Sequence, residues 1–119
     1  MSKIGFIGLG RMGKGMASNL QKKGFQLVVL DVNPAPVQEL VALGASAGQS
    51  VAQIARDCSI VITMLPTATE VEHVATGADG VLAHAAPGSL LMDMSTIDPL
   101  ATDRLQAAAQ TKGLSVVDA

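Results

Sequence analysis

Aromatic side chains are almost missing: the 119 residues include two Phe, no Trp and no Tyr. Stacking platforms for single-stranded nucleic acid are therefore not available, and a formal net charge of −2 supplies no basic stripe for a phosphate backbone. No nucleic-acid partner is expected. Cysteine occurs once, at Cys58, so the chain holds no internal disulfide and no thiolate metal cluster, which fits a reducing cytoplasm. Cys58 stands at the head of a β-branched run and reads as a small core hydrophobe rather than a nucleophile. No apolar run reaches the length of a bilayer span, and Met1-Ser2-Lys3 leads straight into a strand rather than a signal peptide, so no membrane association is expected. His73 and His84 lack metal-ligand spacing and any accompanying carboxylate pair; both read as helix or loop surface positions, and no metal is expected. Charge is scarce as well. Only 15% of residues are charged against 49% hydrophobic, so polar surface is short and an apolar face should be left for a partner domain or subunit.

What the chain does have is glycine in a particular place. Ile4, Phe6 and Ile7 form a short apolar run that stops at Gly8-Leu9-Gly10-Arg11-Met12-Gly13, a GxGxxG. In a strand–turn–helix unit that binds a dinucleotide, Gly8 allows the tight turn, Gly10 lets backbone approach a pyrophosphate, and Gly13 lets the helix sit close to the strand. A helix should follow at once: Met12, Met16 and Leu20 recur every four residues, and Gly24 stands where a C-terminal stop belongs. Phosphate would lie at its start, where unpaired N–H groups and the positive end of the helix dipole point. A second strand, Phe25 to Leu30, ends at Asp31, about where the fingerprint places an acidic residue. Asp31 has two readings. As a ribose ligand it accepts from both hydroxyls and repels a 2′-phosphate, which favours NAD over NADP, all the more because Val32 and Asn33 offer no arginine clamp. As a plain turn residue it precedes Asn33-Pro34.

The remaining chain alternates helix and strand. Pro34 suits a first helical turn, and Val37, Leu40, Val41 and Leu43 carry helical spacing to Gly44. Residues 44–48 are small and read as a connector; Ser50 caps a short helix through Ala55. Ser59 to Leu65 is a near-continuous apolar run, the pattern of a central parallel strand covered on both faces. Met64, Leu65 and Pro66 close it and either border a cofactor at the strand's carboxyl end or merely end the strand. A helical segment with Val71 and Val74 follows, then a loop with a short helix over 77–87, then a strand from Ser89 to Met94. Ser95 and Thr96 come next: Thr96 or Asp98 caps a helix over 99–112, or Ser95 and Thr96 present hydroxyls where substrate and nicotinamide meet. Leu114 to Val117 begins a last strand, and the sequence closes at Asp118-Ala119. The length suits one domain, residues 1–119, and the order predicts an α/β fold: a Rossmann-type, doubly wound, mainly parallel sheet.

The segments Ile4 to Gly13, Met16-Ala17-Ser18-Asn19-Leu20, Met64-Leu65-Pro66 and Asp93-Met94-Ser95-Thr96-Ile97-Asp98-Pro99 together resemble the 3-hydroxyacid (β-hydroxyacid) dehydrogenases, and the resemblance spans the whole chain. It implies an NAD-binding domain of the 6-phosphogluconate dehydrogenase-like kind. It further implies reversible hydride transfer between nicotinamide and a short 3-hydroxyacid or semialdehyde of the 3-hydroxyisobutyrate, tartronate semialdehyde or sulfolactaldehyde type. By the same resemblance, Gly8, Leu9, Gly10, Arg11, Met12 and Gly13 lie against the cofactor and Asp31 holds its ribose. Met64, Leu65, Pro66 and Thr96 line its nicotinamide side, and Ser95 and Thr96 meet substrate. The family handles the alcohol proton with a lysine in a Gly-x-x-Gly-x-Gly-x-x-x-Lys pattern that does not occur in these 119 residues. Lys3, Lys14, Lys22, Lys23 and Lys112 do not replace it. The resemblance implies that this lysine lies beyond Ala119, so no catalytic residue is expected within the chain. The expectation is a cofactor domain whose catalytic and dimer-forming helical domain is not in this chain, inactive alone, and part of a homo-oligomer at full length. A related branch, the 6-phosphogluconate dehydrogenase and imine reductase type, normally prefers NADP, against which Asp31 argues. The alternative from another class is a non-catalytic NAD-sensing module on the same fold.

Overall fold

The computed structural model describes residues 3–65, 68–77, 80–85, 88–94, 107, 110, 113 and 115–118, with Arg11, Met12, Ala68, Thr69, Glu72 and residues 115–118 described as backbone. The expected helix over 99–112, apart from Ala107 and Gln110, and the positions Pro66, Ser95 and Thr96 lie outside those residues. So does Ala119, and with it the expectation of a lysine beyond that position.

Five short apolar runs build the sheet with a sixth, two-residue edge. They are β1 (Lys3–Ile7), β2 (Gln26–Leu30), β3 (Ser46–Ala47), β4 (Ile60–Thr63), β5 (Leu90–Asp93) and β6 (Ser115–Asp118). Every pairing is parallel, in the order β3-β2-β1-β4-β5-β6. That is the doubly wound order, in which the chain first builds outward from β1 on one side and then returns to build on the other. Parallel neighbours need crossovers, and as far as β5 the described helices supply them: α1 (Arg11–Lys22), α2 (Pro34–Ala42), α3 (Val51–Asp57), α4 (Ala68–Thr76) and α5 (Val81–His84).

Strand alternation sends side chains to two separate cores. Ile4, Phe6, Leu27, Val29 and Ile62 pack with Ala17 of α1 and Leu40 of α2, while Ile7, Val28, Val61 and Leu91 pack with Ile54 of α3, Val71 of α4 and Val81 of α5. Both faces of β1, β2 and β4 are therefore covered, which is why Ile60 to Thr63 carries no polar alternation. Cys58 is buried in the second core, as expected of a small hydrophobe.

Local chemistry sets the helix limits. The chain leaves α1 through Lys23 and turns at Gly24, whose φ is 94°. Asn33 caps α2 by accepting from the Ala35 N–H at 3.1 Å, with Pro34 in the first turn, and Ser50 caps α3 by accepting from the Gln53 N–H at 3.1 Å. Two details differ from the sequence reading. Within the small-residue connector of 44–48, Ser46 and Ala47 pair with Val28 and Val29 as an edge strand. The helical stripe read into α2 is narrower than four residues: Leu40 is buried and Val37 packs on the core, but Val41 and Leu43 are 41% and 63% exposed.

Candidate functional site

The sheet order reverses between β1 and β4, and there the carboxyl ends of two adjacent parallel strands open into a crevice. β1 ends at Ile7 and runs into the glycine turn; β4 ends at Thr63 and runs into Met64 and Leu65. A cleft of about 920 Å3 occupies this place. It is lined by Gly8, Gly10 and Gly13 from the turn, Leu30, Asp31 and Val32 from the end of β2, Met64 and Leu65 from the end of β4, and Val51, Glu70, His73 and Val74 from α3 and α4.

Each glycine of the turn has its own constraint. Gly8 has φ 99°, and a Cβ there would strike the Met64 carbonyl oxygen, so the turn is seated directly against the end of β4. A Cβ on Gly13 would strike the Gly8 carbonyl oxygen, which sets how closely α1 approaches the turn. Gly10 is the opposite case: nothing lies within 4 Å of where its Cβ would be, and the residue is exposed to the crevice. The open side of the turn is thus the side on which a pyrophosphate needs backbone without a Cβ. Gly10 is also the N-cap of the 12-residue α1, with no side-chain cap and no acidic residue in the first turn. The donor end of the helix dipole is left for an anion. Lys14, one turn on, is turned to the neighbouring helix, where its ammonium pairs with Glu39.

Asp31 is bonded on both oxygens. Its Oδ2 accepts from the Leu9 N–H at 2.5 Å and its Oδ1 from the Asn33 N–H at 2.8 Å. The turn-residue reading of Asp31 is therefore present in the structure, and it coexists with a position at the crevice. A carboxylate oxygen carries two acceptor sites, so one on each oxygen remains for the two hydroxyls of a ribose. The residues present fit a dinucleotide: an open glycine turn at a helix start, and an acceptor pair at the neighbouring strand end.

Beneath the cleft residue Met64, the buried Thr63 hydroxyl donates to the buried Asp93 Oδ1 at 2.9 Å, tying the ends of β4 and β5 side by side. The ladder continues past the strands, with Met64 N–H to the Ile7 oxygen at 3.0 Å and Met94 N–H to the Thr63 oxygen at 2.8 Å. Of the residues singled out from sequence, the structure brings Gly8, Gly10, Gly13, Asp31, Met64 and Leu65 to the cleft. Leu9 contributes differently: its side chain is 2% exposed in the core and its N–H is held by Asp31. Arg11 and Met12 open α1 at the turn. Sequence reasoning missed Val32, Val51, Glu70, His73 and Val74; His73 is exposed as expected, but on the crevice. The signal was there in Glu70, His73 and Val74, which follow β4 at the i, i+3, i+4 spacing of one helix face. The smaller hollow at the amino ends of the strands, about 380 Å3 and lined by Lys3, Gln21 and Gln26 among others, is remote from these features.

The family described as the NAD binding domain of 6-phosphogluconate dehydrogenase matches residues 3–119. The chain belongs to it. This NAD-binding domain is 48% identical, over 118 residues, to the 3-sulfolactaldehyde reductase of Escherichia coli (strain K12), covering 99% of this chain and 40% of that protein. It is 45% identical to a Pseudomonas aeruginosa NAD-dependent L-serine dehydrogenase over 119 residues, 100% of this chain and 40% of that one. Among solved structures, the Mycobacterium tuberculosis 3-hydroxyisobutyrate dehydrogenase with L-serine superposes with a TM-score of 0.89 at 33% identity, covering 99% of this chain and 40% of that one. The resemblance to 3-hydroxyacid dehydrogenases and the Rossmann-type fold expected from sequence are both borne out. The chain spans about 40% of the length of these relatives.

Proposed function

We propose that this domain is the cofactor half of an NAD-dependent oxidoreductase that moves hydride between nicotinamide and a short 3-hydroxyacid or its semialdehyde. The single observation that carries the reading is the pairing of an open GxGxxG turn with Asp31, bonded to it and lining the same crevice, at the sheet's reversal point. In this division of labour, the Gly10 backbone and the start of α1 receive the pyrophosphate, and Arg11 and Met12 flank it. Asp31 takes the ribose and disfavours a 2′-phosphate, so NAD is preferred over NADP. Met64, Leu65, Pro66 and Thr96 border the nicotinamide, and Ser95 and Thr96 reach substrate. The bound nicotinamide would supply hydride donation or acceptance; the chain's own residues bind it, orient it and line the space with apolar side chains that exclude water.

The groups that grip the substrate's far end and move the alcohol proton are assigned to a further, helical domain, beyond Ala119 in a longer protein, that also builds a homo-oligomer. Support comes from the 40% coverage of relatives named as dehydrogenases and reductases. Those names lend nothing to the NAD-sensing alternative. A cytoplasmic setting is in keeping with the single buried cysteine, and among the described residues no helix is long and apolar enough to cross a membrane.

The test is a turnover assay of the 119-residue chain with NAD and, in turn, 3-hydroxyisobutyrate and L-serine, following nicotinamide reduction. The expected result is no turnover above background, because a positioned acid–base group contributes about 10²–10⁴-fold on its own. Measurable turnover would overturn the proposed division of labour.

A further inference from the structure

Asp31 makes a bond that ribose recognition does not require. Its Oδ2 reaches back 22 residues to the Leu9 N–H, in the middle of the glycine turn, at 2.5 Å. Its Oδ1 takes the Asn33 N–H at 2.8 Å, and the Asn33 side chain in turn takes the Ala35 N–H at 3.1 Å to cap α2. Glycine turn, end of β2 and start of α2 are thus joined through one carboxylate. Leu9 is flanked by glycines, and a run of three glycines in six residues is conformationally loose unless partners fix it. A second bond, Gly8 N–H to the Leu30 oxygen at 3.0 Å, fixes one residue earlier. Leu9 itself is pinned from both sides, its side chain in the core and its N–H on Asp31.

We propose that Asp31 is a positioning residue for the glycine turn, clasping the Leu9 N–H so that the backbone around Gly10 is already shaped for a pyrophosphate before any cofactor arrives. The clasp stands on the hydrogen bonds alone; what the turn receives rests on the cofactor reading above. One consequence separates this role from ribose binding. A carboxylate can serve the Leu9 and Asn33 N–H groups together, one on each oxygen, whereas a carboxamide offers one acceptor and turns its own N–H2 toward the other donor. Asp31→Asn therefore keeps at most one of the two bonds, and that one to a neutral and weaker acceptor, even though it is nearly isosteric. Exchanging the acidic residue to admit NADPH then loosens the phosphate site itself.

The test uses the unaltered chain, Asp31→Asn and, as a control, Asn33→Ala, and reads two quantities. The first is hydrogen exchange at the Leu9 amide without ligand, with Ile4 and Phe6 of β1 as internal references. The second is the affinity for inorganic pyrophosphate, which has no ribose. In Asp31→Asn the Leu9 amide should exchange about fivefold or more faster with the references unchanged, as befits a bond to a charged acceptor that is lost or replaced by a neutral one. Pyrophosphate should bind several-fold more weakly, although removing a nearby negative charge by itself would tighten an anion. Asn33→Ala should leave the Leu9 amide as it is. Unchanged Leu9 exchange in Asp31→Asn, or pyrophosphate binding that is equal or tighter, would overturn the proposal. Should the variant fail to fold, a through-hydrogen-bond coupling between the Leu9 nitrogen and the Asp31 side-chain carboxyl carbon in the unaltered chain decides the clasp, present or absent. If the unaltered chain does not bind pyrophosphate at all, the cofactor reading fails, and with it the role in shaping a phosphate site; the exchange data then report on the clasp alone.

Discussion

Two glycines two residues apart on α1 should respond in opposite directions to the same added methyl group. Gly13 has no room: its Cβ would strike the Gly8 carbonyl oxygen, and Gly8 cannot retreat, because it is itself held at φ 99° against the Met64 carbonyl. The obstacle is backbone rather than the tip of a flexible side chain, so the helix or the turn must shift. Overpacking of this kind costs about 1–3 kcal/mol, offset by roughly 1 kcal/mol because alanine is the better helix former. With a backbone obstacle the cost belongs at the upper end, leaving Gly13→Ala about 1–2 kcal/mol less stable. Gly15 is exposed in the same helix with nothing within 4 Å of its Cβ position. There only the propensity and chain-entropy gains apply, and Gly15→Ala should be about 0.5–1 kcal/mol more stable. Urea unfolding followed by circular dichroism reads both, with the midpoint moving down for one and up for the other at a common slope. Gly13→Ala as stable as the parent, or the two variants shifting alike, would refute the claim that Gly13 sets the distance between α1 and the turn.

Three further outcomes follow from the same geometry. Thr63→Val removes the donor to the buried Asp93 carboxyl and should destabilise by about 1–3 kcal/mol, read by the same unfolding curve; a neutral variant would show that the Thr63–Asp93 bond does not hold the ends of β4 and β5 together. Asp31→Asn with Val32→Arg should move the NADH-to-NADPH affinity ratio toward NADPH while lowering affinity for NADH by about tenfold or more, since Val32 is fully exposed and an arginine there has access to a 2′-phosphate. Equally tight NADH binding after both changes would remove Asp31 from the ribose site. Burial pushes the Cys58 thiol pKa up, with Asp57 adding to the shift and Lys3 opposing it. The folded chain thus keeps its thiol proton where the unfolded chain has lost it. That contribution to stability is complete below the ordinary thiol pKa and is lost as pH rises through the folded value, so stability should fall on the alkaline side and fall less steeply in Cys58→Ala. Parallel pH profiles would contradict it.

Much of the fold was legible because its signals are local. Ile4, Phe6 and Ile7 stopping at Gly8, the β-branched Ile60 to Thr63, Ser50 before Val51 and Asn33 before Pro34 each announce their element within a few residues. Ser46 and Ala47 announce nothing, since neither favours a strand; they pair only because β2 presents an open edge beside them. The stripe on α2 was overread at Val41 and Leu43 because helical spacing marks a face without saying how much of it the neighbours cover. The site followed the same division. Gly8, Gly10, Gly13 and Asp31 lie within one βαβ fingerprint and were readable, as was Met64-Leu65 at a strand end. His73, Glu70 and Val51 come from helices brought to the crevice by the crossovers, and their relation to Asp31 exists only once the sheet is wound. The Leu9–Asp31 bond, spanning 22 residues, belongs to the same class.

The most direct measurement of the central claim is a calorimetric titration of this chain with NADH and separately with NADPH. Saturable, one-to-one NADH binding and markedly weaker NADPH binding are expected, because the glycine turn is open at Gly10 and Asp31 lines the crevice. Equal affinity for the two cofactors would contradict the assignment of Asp31, and no binding of either by a chain that circular dichroism shows to be folded would contradict the assignment of the crevice.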